Sequence, residues 1–428
     1  MRSKKILVPK CVEVGDLLSL VGHEDLKHIS RMVEADKWVP KLKATNVFGL
    51  LLYSLLDSER MSFRVMADNY NSATFKVLLS RGLGDKDELL TDFTAHSSLS
   101  DRLKTIKVDF FKQVYEKVYR DVAKLYGDKG LKRYNIKRYD STMIAVFSHL
   151  LEGMKVGNTS RKKNQVKMTT ELTDDFEVRM RFFSDQDHLG EEVALKEMIQ
   201  SQSHSPEDII VFDRGLKSRK TLCEFKAQKT HFVTRLNDTN RYKFIRSHSD
   251  MTLPETAQDK DSRLSYCQDS IVYLYADGNK IVKEEFRLIE VLDIKKGKKL
   301  FFLTNILDLP AQMIAEVYRH RWEIEVFFRF LKQEMNLKHF ICNEVNAIQV
   351  MMYMTLIATM LILVYKKKNE IGSYKIAKKR FLKDLEATII LDLIQTEKGL
   401  NFYKQCLKIQ VEEQLISQNK KKRSVNTS

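Results

Sequence analysis

The first 130 residues have the hydrophobic spacing of helices. An apolar run at 47–56 follows Thr45, whose hydroxyl can cap a helix N-terminus. Residues 96–103 resemble a loop that leads into a capped helix, and a long amphipathic helix follows to about Tyr126. The chain has only 5 prolines and 15 glycines in 428 residues, which also favours long helices. We therefore predict an N-terminal helical region over residues 1–130.

From Tyr134 onward, short runs rich in β-branched and aromatic residues replace the helical spacing. The strand candidates are residues 136–147, 166–171, 176–183 and 208–213. Asp140 lies in the middle of the first candidate, and the last is an apolar run, typical of a buried central strand, that ends at Asp213. Residues 191–201 form a predicted helix with Asp187 as its cap. Strands that alternate with helices indicate an α/β unit.

Between residues 230 and 305 the pattern becomes that of an antiparallel sheet. Short strands are predicted at 231–235, 271–275, 286–291 and 300–304. An Asp-Gly-Asn turn separates two of them, and the chain returns to helix after Pro310. The predicted organisation is a helical region at 1–130, an α/β unit in two parts at 131–226 and 308–365, a β-rich insertion at 227–307, and a basic helical region at 366–428 that ends in a disordered tail.

The charge balance narrows the class of partner. The chain carries 73 Lys and Arg against 57 Asp and Glu, a formal charge of +16. The last 63 residues hold 15 basic and 7 acidic side chains, a net +8, so half of the excess lies in this segment. A field of this sign attracts polyanions, of which nucleic acid is the commonest and an anionic membrane surface the second. The basic clusters at 366–368, 378–380 and 420–423 suit contact with phosphates.

One apolar segment belongs either to a membrane or to a protein core. Residues 347–365 contain only three clearly polar side chains, Gln349, Thr355 and Thr359. A transmembrane helix needs about 20 such residues, and a core helix packed on all faces has the same composition. We favour the core helix, because nothing else in the sequence resembles a membrane protein. The five scattered cysteines and the absence of a signal peptide fit a reducing cytoplasm.

The helix predicted at 311–337 combines an apolar and a polar stripe. Tyr318, Arg321, Glu325 and Lys332 lie at offsets of 0, 3, 7 and 14 residues. At about 100° per residue these positions share one stripe roughly 60° wide. An ordinary amphipathic helix with an ion pair between Arg321 and Glu325 explains the spacing at least as well. Spacing by itself therefore leaves the role of the stripe open.

Three carboxylates are candidates for metal-dependent phosphodiester chemistry. Magnesium prefers hard oxygen ligands and leaves positions open for phosphate, and two such ions can activate an attacking hydroxyl and stabilise a leaving oxygen. Asp140 on a strand, Asp213 at a strand end and Glu325 on a helix would supply the carboxylates that this chemistry needs. A solvated or capping role explains each acid taken singly. Asp213 is the more specific aspartate, because an apolar run that ends in Asp-Arg-Gly aims it at a sheet edge.

The same residues carry a resemblance to a known family. The elements are Tyr139-Asp140-Ser141-Thr142, Asp213-Arg214-Gly215, and Tyr318 with Arg321, Glu325 and Lys332. They resemble the three catalytic motifs of the insertion-sequence family-four DDE transposases, and Trp322 and Ile324 also match the third motif, which is the specific one. The resemblance runs in order through residues 61–365. Leu216 departs from the family, in which an aromatic residue usually follows the glycine.

The resemblance implies a transposase that cuts the ends of an insertion sequence and transfers the strands into target DNA. It implies an α/β fold with an RNase H-like mixed sheet and flanking helices, interrupted by the antiparallel β insertion in the 112 positions between Asp213 and Glu325. Asp140, Asp213 and Glu325 would be catalytic and would bind two Mg²⁺ ions, for which Mn²⁺ can substitute. The partners would be the transposon ends and the target DNA, with a homodimer in the DNA complex.

Further residues would contact DNA on this interpretation. Tyr318, Arg321 and Lys332 would bind phosphates near the transposon end, and Trp322 would either stack on a base or simply pack. Arg161, Lys162 and Lys163, in a loop after the first catalytic strand, are candidates for backbone contact, and a solvated loop explains them equally well. The N-terminal helices, the insertion and the basic C-terminal region would share the binding of DNA ends.

Other interpretations are less favoured. The acidic cluster of Asp185, Asp187, His188, Glu191 and Glu192 could imitate a metal site, but capping and the helix dipole explain it more simply. The sequence has no G-x-x-x-x-G-K-[ST] loop, so no nucleotide cofactor is expected. The alternatives are an RNase H-like nuclease without strand transfer and a catalytically inactive DNA-binding descendant. We expect a cytoplasmic protein at the bacterial nucleoid, without a membrane partner.

Overall fold

The computed structural model describes residues 12–57, 60–79, 93–126, 134–145, 154–156, 163–173, 178–237, 241–248, 264–276, 280–337, 341, 344–394, 400–401, 403–408 and 411. The chain divides into two compact units. The helical unit comprises Met1–Gly127, Ala145–Leu151 and Arg329–Ser428. The sheet unit comprises Asp128–Ile144 and Glu152–Phe328.

The bounds of the described helices and strands are as follows. The helices are α1 (Val14–Leu18), α2 (His23–Met32), α3 (Ala44–Asp57), α4 (Phe63–Asn71), α5 (Ala73–Leu78), α6 (His96–Thr105), α7 (Val108–Tyr126), α8 (Glu191–Gln200), α9 (Arg219–Ala227), α10 (Ala311–Arg319), α11 (Trp322–Gln333), α12 (Val345–Lys368) and α13 (Tyr374–Ile394). The strands are β1 (Asn135–Ala145), β2 (Met154–Val156), β3 (Lys163–Thr173), β4 (Val178–Phe183), β5 (Asp208–Phe212), β6 (His231–Leu236), β7 (Tyr242–Ser247), β8 (Leu264–Tyr275), β9 (Ile281–Asp293) and β10 (Lys298–Thr304).

The apolar helix α12 lies at the centre of the helical unit. It packs against α3, α6, α7 and α13, and every residue from Met354 to Tyr365 is buried. Within the described residues it is also the one helix long and apolar enough to cross a membrane. Because its apolar surface is covered by protein, the prediction of a core helix is confirmed.

Two details of the N-terminal prediction are wrong. Helix α3 begins at Ala44, so Thr45 lies inside the first turn, where its side chain is buried and does not act as the cap. Helix α6 already begins at His96, after Ala95 as N-cap, so residues 96–103 are helix and not a loop. In both places the helix begins earlier than the sequence pattern predicted.

A mixed sheet forms the sheet unit. The strand order among the described residues is β2-β3-β1-β5-β6-β10-β9-β8-β7, with β4 paired to β3 on the same side as β2. Strands β1, β5 and β6 are parallel, and the pairs β3–β4 and β6–β10 are antiparallel. This mixed sheet with flanking helices is consistent with an RNase H-like transposase fold, so the predicted fold class is confirmed.

Helices cover both faces of the central strands. Strand β5 is apolar throughout, and its alternate side chains point to opposite faces. Ile210 and Phe212 pack with side chains of α8 and α9, whereas Ile209 and Val211 pack with side chains of α10. Burial on both faces explains why this strand reads as a continuous apolar run.

The strands of the insertion extend the same sheet. Strands β7 to β10 form consecutive antiparallel pairs, as the alternating pattern predicts. Strand β6 differs, because it pairs in parallel with β5 and so continues the central sheet rather than the antiparallel part.

The predicted cap of α8, Asp187, is wrong. Gly190 precedes the helix, and Asp185 caps a short 3-10 turn at Gln186–Leu189.

The helix predicted at 311–337 is broken in two. Helix α10 ends at Arg319, α11 begins at Trp322, and the N–H of Arg321 donates to the carbonyl of Tyr318 at 3.0 Å, a tighter turn than an α-helix. The buried guanidinium of Arg138 donates to the carbonyl of His320 at 2.8 Å at this break. Tyr318 and Arg321 therefore do not share one continuous helical stripe with Glu325.

Candidate active site

Asp140, in the middle of β1, lies beside Asp213, which directly follows the neighbouring parallel strand β5. Tyr139 of β1 is in register with Phe212 of β5, so the residues that follow them in the two strands are neighbours. Adjacent strands are about 4.8 Å apart. The N–H of Ser141 donates to Asp140 Oδ1 at 2.8 Å, and the N–H of Gly215 donates to Asp213 Oδ1 at 2.6 Å. The sheet thus brings together two carboxylates that are 73 positions apart in the sequence.

The electrostatics of Asp140 reflect this crowding. Burial, together with the negative charges of Asp213 and Glu191, raises the pKa of Asp140 to about 7, against the lowering effects of the Ser141 N–H and of Arg321. Two carboxylates that repel each other in a partly dry setting disfavour full ionisation. A cation at this position would relieve the repulsion.

Arg321 connects Asp140 to Glu325. Its Nη2 lies 2.5 Å from Glu325 Oε1 and its Nη1 lies 3.8 Å from Asp140 Oδ2. Its Nε is buried without a hydrogen-bond partner among the described residues. The guanidinium also lies 5.7 Å from the centre of the Tyr318 ring, which packs against Phe302 at 5.1 Å. A single cationic group therefore touches carboxylates from β1 and α11.

Arg138 contacts the residues on either side of Arg321, a role that was not predicted from the sequence. Arg138 is fully buried, and besides its bond to His320 it lies 3.1 Å from Glu323 Oε2. It precedes Asp140 by two positions, so both side chains leave β1 on the same face. The spacing of Arg138 and Asp140 on one face of β1 could have indicated that both belong to the site. The contacts of Arg138 with His320 and Glu323 could not be predicted, because they depend on the break between α10 and α11.

Glu191 is a further acid at the site. A Cβ atom on Gly215 would lie 2.4 Å from Glu191 Cδ and 2.5 Å from its Oε2. The carboxyl group of Glu191 therefore rests against the residue that donates its N–H to Asp213. Burial, followed by the charge of Asp213, raises the pKa of Glu191. Glu191 belongs to the acidic cluster that was interpreted as capping and helix-dipole acids, and it does lie in the first turn of α8. Its proximity to Asp213 was not predicted, because it depends on the tertiary packing.

The rest of the acidic cluster has structural partners. His188 bridges Asp185 and Glu197, with its ring nitrogens 2.5 and 2.6 Å from their carboxylate oxygens. Glu192 accepts the N–H of Ser218 at 2.7 Å and so supports the start of α9. These contacts agree with the interpretation of this cluster as capping and local support.

The donor set suits a hard divalent cation. The described residues contain no group of three or more His, Cys, Asp or Glu side chains arranged to hold one ion. Asp140 and Glu325 are instead joined by the guanidinium of Arg321, a positive charge that stands where carboxylates from two elements meet. Carboxylate oxygens are ligands that hard divalent cations prefer, so the chemical type of these side chains fits such an ion.

The remaining predicted residues are spread over both units. Trp322 is the first residue of α11 and is 54% exposed. Lys332 lies on α11 within the helical unit and is half-buried. Lys163 is the first residue of β3 and not part of a loop, which corrects its predicted position. Arg161 and Lys162 lie outside the described residues.

Comparisons with known proteins identify similar sequences. A family model for the transposase DDE domain matches residues 132–361. The putative transposase for insertion sequence element IS4SA of Synechocystis sp. is 22% identical over 373 residues, 86% of this chain and 94% of its own length. The putative transposase y4zB of Sinorhizobium fredii is 26% identical over 161 residues, 38% of this chain and 43% of its own length. The probable transposase for insertion sequence element IS5377 of Geobacillus stearothermophilus is 26% identical over 167 residues, 38% of this chain and 41% of its own length.

The family match begins just before β1 and ends within α12, so it includes Asp140, Asp213 and Glu325. Together with relatives that are transposases of insertion sequences, it confirms the expected insertion-sequence transposase. Since the match spans more than half of the 428 residues, the chain belongs to the family of transposases with a DDE domain.

Proposed function

We propose that Asp140, Asp213 and Glu325 are the catalytic carboxylates with which this transposase cuts insertion-sequence ends and transfers them into target DNA. The observation that carries the proposal is the arrangement around Arg321. This residue contacts both Asp140 and Glu325, and Asp213 neighbours Asp140 on the next parallel strand. Three acids from β1, the end of β5 and α11 thus gather at one end of the central strands, where α/β sheets form their sites.

The three carboxylates would hold two Mg²⁺ ions, with Mn²⁺ as a substitute. When bound, such ions lower the pKa of the attacking hydroxyl and stabilise the charge on the leaving oxygen. Asp140 and Asp213 contribute rigidity, because hydrogen bonds from the backbone fix one oxygen of each. Glu191 faces the same acids and is a candidate to orient them or to share in holding the metal.

Arg321 and its neighbours would position the DNA. The buried Nε of Arg321 has an unused hydrogen, and a phosphate oxygen would satisfy it with a charge-assisted bond. Tyr318 holds the guanidinium from one side, while Trp322, exposed at the start of α11, offers a flat surface to a base. We assign Lys332, and more weakly Arg161, Lys162 and Lys163, to contacts with the phosphate backbone.

The wider assembly follows from the reaction. Cutting and joining two element ends requires that both be held together, for which we propose a homodimer in the DNA complex. Residues 1–130, the insertion at 227–307 and the basic region at 366–428 would share the binding of the ends, around catalytic segments at 131–226 and 308–365. The substrate is chromosomal DNA, which locates the protein in the bacterial cytoplasm at the nucleoid.

The decisive experiment uses the DNA that flanks the coding sequence in its genome. Purified protein is incubated with both flanking segments, a target plasmid and Mg²⁺, and the products are sequenced. We expect cuts at fixed positions on each side and covalently joined products, all absent in EDTA and with Asp140→Asn.

Two other outcomes would point to the rival functions. Cutting without any joined product, over a range of target DNAs, would favour a nuclease on the same fold. Binding that is unaffected by loss of all three carboxylates, with no cleavage by the unaltered protein, would favour a DNA-binding descendant.

A further inference from the structure

The loop between α2 and α3 presents a tryptophan to solvent. Trp38 is 92% exposed, more than any other large hydrophobic side chain among the described residues. Water contact over a whole indole ring is unfavourable, and tryptophan is enriched among the residues that dominate binding energy at interfaces. The second tryptophan of the chain, Trp322, belongs to the proposed active site.

This loop is held in a fixed and strained conformation. Glu34, Trp38 and Leu42 all have positive φ angles, 51°, 63° and 55°, although a side chain in this region costs free energy. Asp36 turns inward and pins the loop: its carboxylate accepts from the Ala44 N–H at 2.7 Å, from Arg102 at 2.9 Å and from Ser30 at 2.8 Å.

Arg102 also stabilises this loop. It is buried on α6, and it donates to the carbonyls of Ala35 and Leu42, each at 3.0 Å. The guanidinium thus ties both sides of the loop to one point, and the ion pair with Asp36 neutralises the charge that would otherwise be buried. Such support favours a role for the exposed tip, since strained backbone persists where the surroundings over-determine it.

The exposed charges of this loop are predominantly positive, and its exposed acid, Glu34, is paired with Lys37 at 3.0 Å. Lys37, Lys41 and Lys43 are all exposed within the loop. Asp36 is turned inward, which leaves Glu34 as the exposed acid of this segment. After the hydrogen bond and charge of Lys37, the charge of Lys107 contributes to lowering the pKa of Glu34, so a fourth lysine lies nearby. A flat aromatic ring bordered by ammonium groups matches the two surfaces of a nucleic acid, the base face and the phosphate.

We infer that the Trp38 loop, residues 33–43, is a DNA contact in which the indole stacks on a base exposed at a strand end or bulge while the lysines bind phosphates. The inference rests on the proposed action on DNA but not on the catalytic residues. It differs from a general basic surface, since it predicts a preference for DNA with an unpaired base.

Fluorescence provides the direct test. In Trp322→Phe, Trp38 is the remaining tryptophan. This variant is titrated in EDTA with a short duplex that has one unpaired base near its end, with the same duplex fully paired, and with its single strand. We expect strong quenching of Trp38 by the unpaired and single-stranded DNA and weaker quenching by the paired duplex.

Affinity measurements give the magnitude. Trp38→Ala should weaken binding of the unpaired-base duplex by roughly five- to 150-fold, the range for loss of one base–aromatic stack, and Trp38→Phe should retain most of the affinity. Met32→Ala, which removes another exposed apolar side chain at the end of α2, is the matched control and should have no effect. Lys41→Gln with Lys43→Gln tests the loop without changing Trp38, and should lower the salt slope by about 1.8.

The outcomes separate this inference from its rivals. Unchanged Trp38 fluorescence on saturation with every DNA, together with unchanged affinity of Trp38→Ala, would overturn it. So would a loss of self-association in Trp38→Ala without DNA, seen by sedimentation, because the loop would then be a protein contact. All binding arms are free of divalent metal. A protein that binds through Trp38 but never cuts its flanking DNA would contradict the proposed function and leave this inference intact.

Discussion

Two arginines of the sheet unit each bind an aspartate, and they use their hydrogen-bonding capacity in opposite ways. Arg287 on β9 is buried, contacts both oxygens of Asp269 at 2.9 and 2.6 Å, and donates to the carbonyl of Leu309 at 2.5 Å. Arg321 leaves its Nε unsatisfied and faces Asp140 and Glu325 together. The charge of Arg287 is balanced by that of Asp269. Arg321 lies among more carboxylates than its single positive charge can balance.

This difference separates a structural ion pair from the proposed ligand site. A buried pair whose donors are all used stabilises one conformation and has nothing left to offer. A site that keeps repelling carboxylates and an unused donor is less favourable as it stands and gains free energy when a cation and a phosphate bind. The two arginines therefore predict opposite consequences for stability and for activity.

The largest expected effect is on cleavage by Glu325→Gln. This change keeps the size of the side chain but removes a proposed metal ligand, so the cleavage rate should fall by roughly a thousandfold or more, beyond the ~10²–10³ cost typical of losing one preorganised electrostatic group. End binding should stay within about tenfold. The measurement is single-turnover cleavage with saturating protein. Glu316→Gln, an exposed acid on α10 that pairs with Arg319, is the control and should cut normally.

The two aspartates should respond oppositely in stability. Asp269→Asn leaves Arg287 buried without its charge partner and should lower the free energy of unfolding by about 3–5 kcal/mol. Asp140→Asn should raise it in EDTA at pH 8, because the pKa of Asp140 is raised to about 7 in the folded state, so its ionised form opposes folding. One pKa unit corresponds to about 1.4 kcal/mol, which sets the order of the gain.

The raised pKa of Asp140 determines how the difference in stability between Asp140→Asn and the unaltered protein changes with pH. A carboxyl group with a raised folded pKa costs stability above its unfolded pKa, and the cost is complete above about pH 7. Asp140→Asn and the unaltered protein should therefore differ at pH 8 and converge near pH 4 in urea unfolding. An Asp140→Asn protein that is less stable at pH 8 would show that Asp140 belongs to a balanced pair like Asp269.

A smaller effect is expected from filling the space beside Glu191. Gly215→Ala places a Cβ where the Glu191 carboxyl lies, and should cost about 1–3 kcal/mol and slow cleavage. In a Glu191→Ala background the same change should cost much less, because the obstructing side chain is gone. The double-mutant cycle in urea unfolding measures this coupling. Additive effects would mean that Gly215 is needed for its backbone and not for the approach of Glu191.

The smallest effect concerns Lys332. Lys332→Ala should weaken DNA binding a few-fold and reduce the salt slope by about 0.9, the contribution of one phosphate contact, while stability and the rate of cleavage at saturating protein remain close to normal. Titration at several salt concentrations provides the slope. Lys220→Ala, an exposed lysine on α9 outside the regions proposed to bind DNA, serves as the comparison, and an equal reduction for both would remove any special role for Lys332.

The sequence determined the types and most of the positions of the elements. Continuous apolar runs marked β5 and α12, because segments buried on all sides carry the same pattern wherever they pack. Its motifs also pointed to Asp140, Asp213 and Glu325, whose chemistry is a property of the side chains themselves, and to the family that the comparisons confirm.

Only the tertiary structure decided how these side chains are supported. The break before Trp322, the bond from Arg138 to the carbonyl of His320, and the position of Glu191 against Gly215 all arise where distant segments meet. Periodicity reports one helix at a time, so it predicted a single helix across the break. Contacts between residues tens of positions apart are fixed by packing of the whole sheet unit, and local sequence carries no record of them.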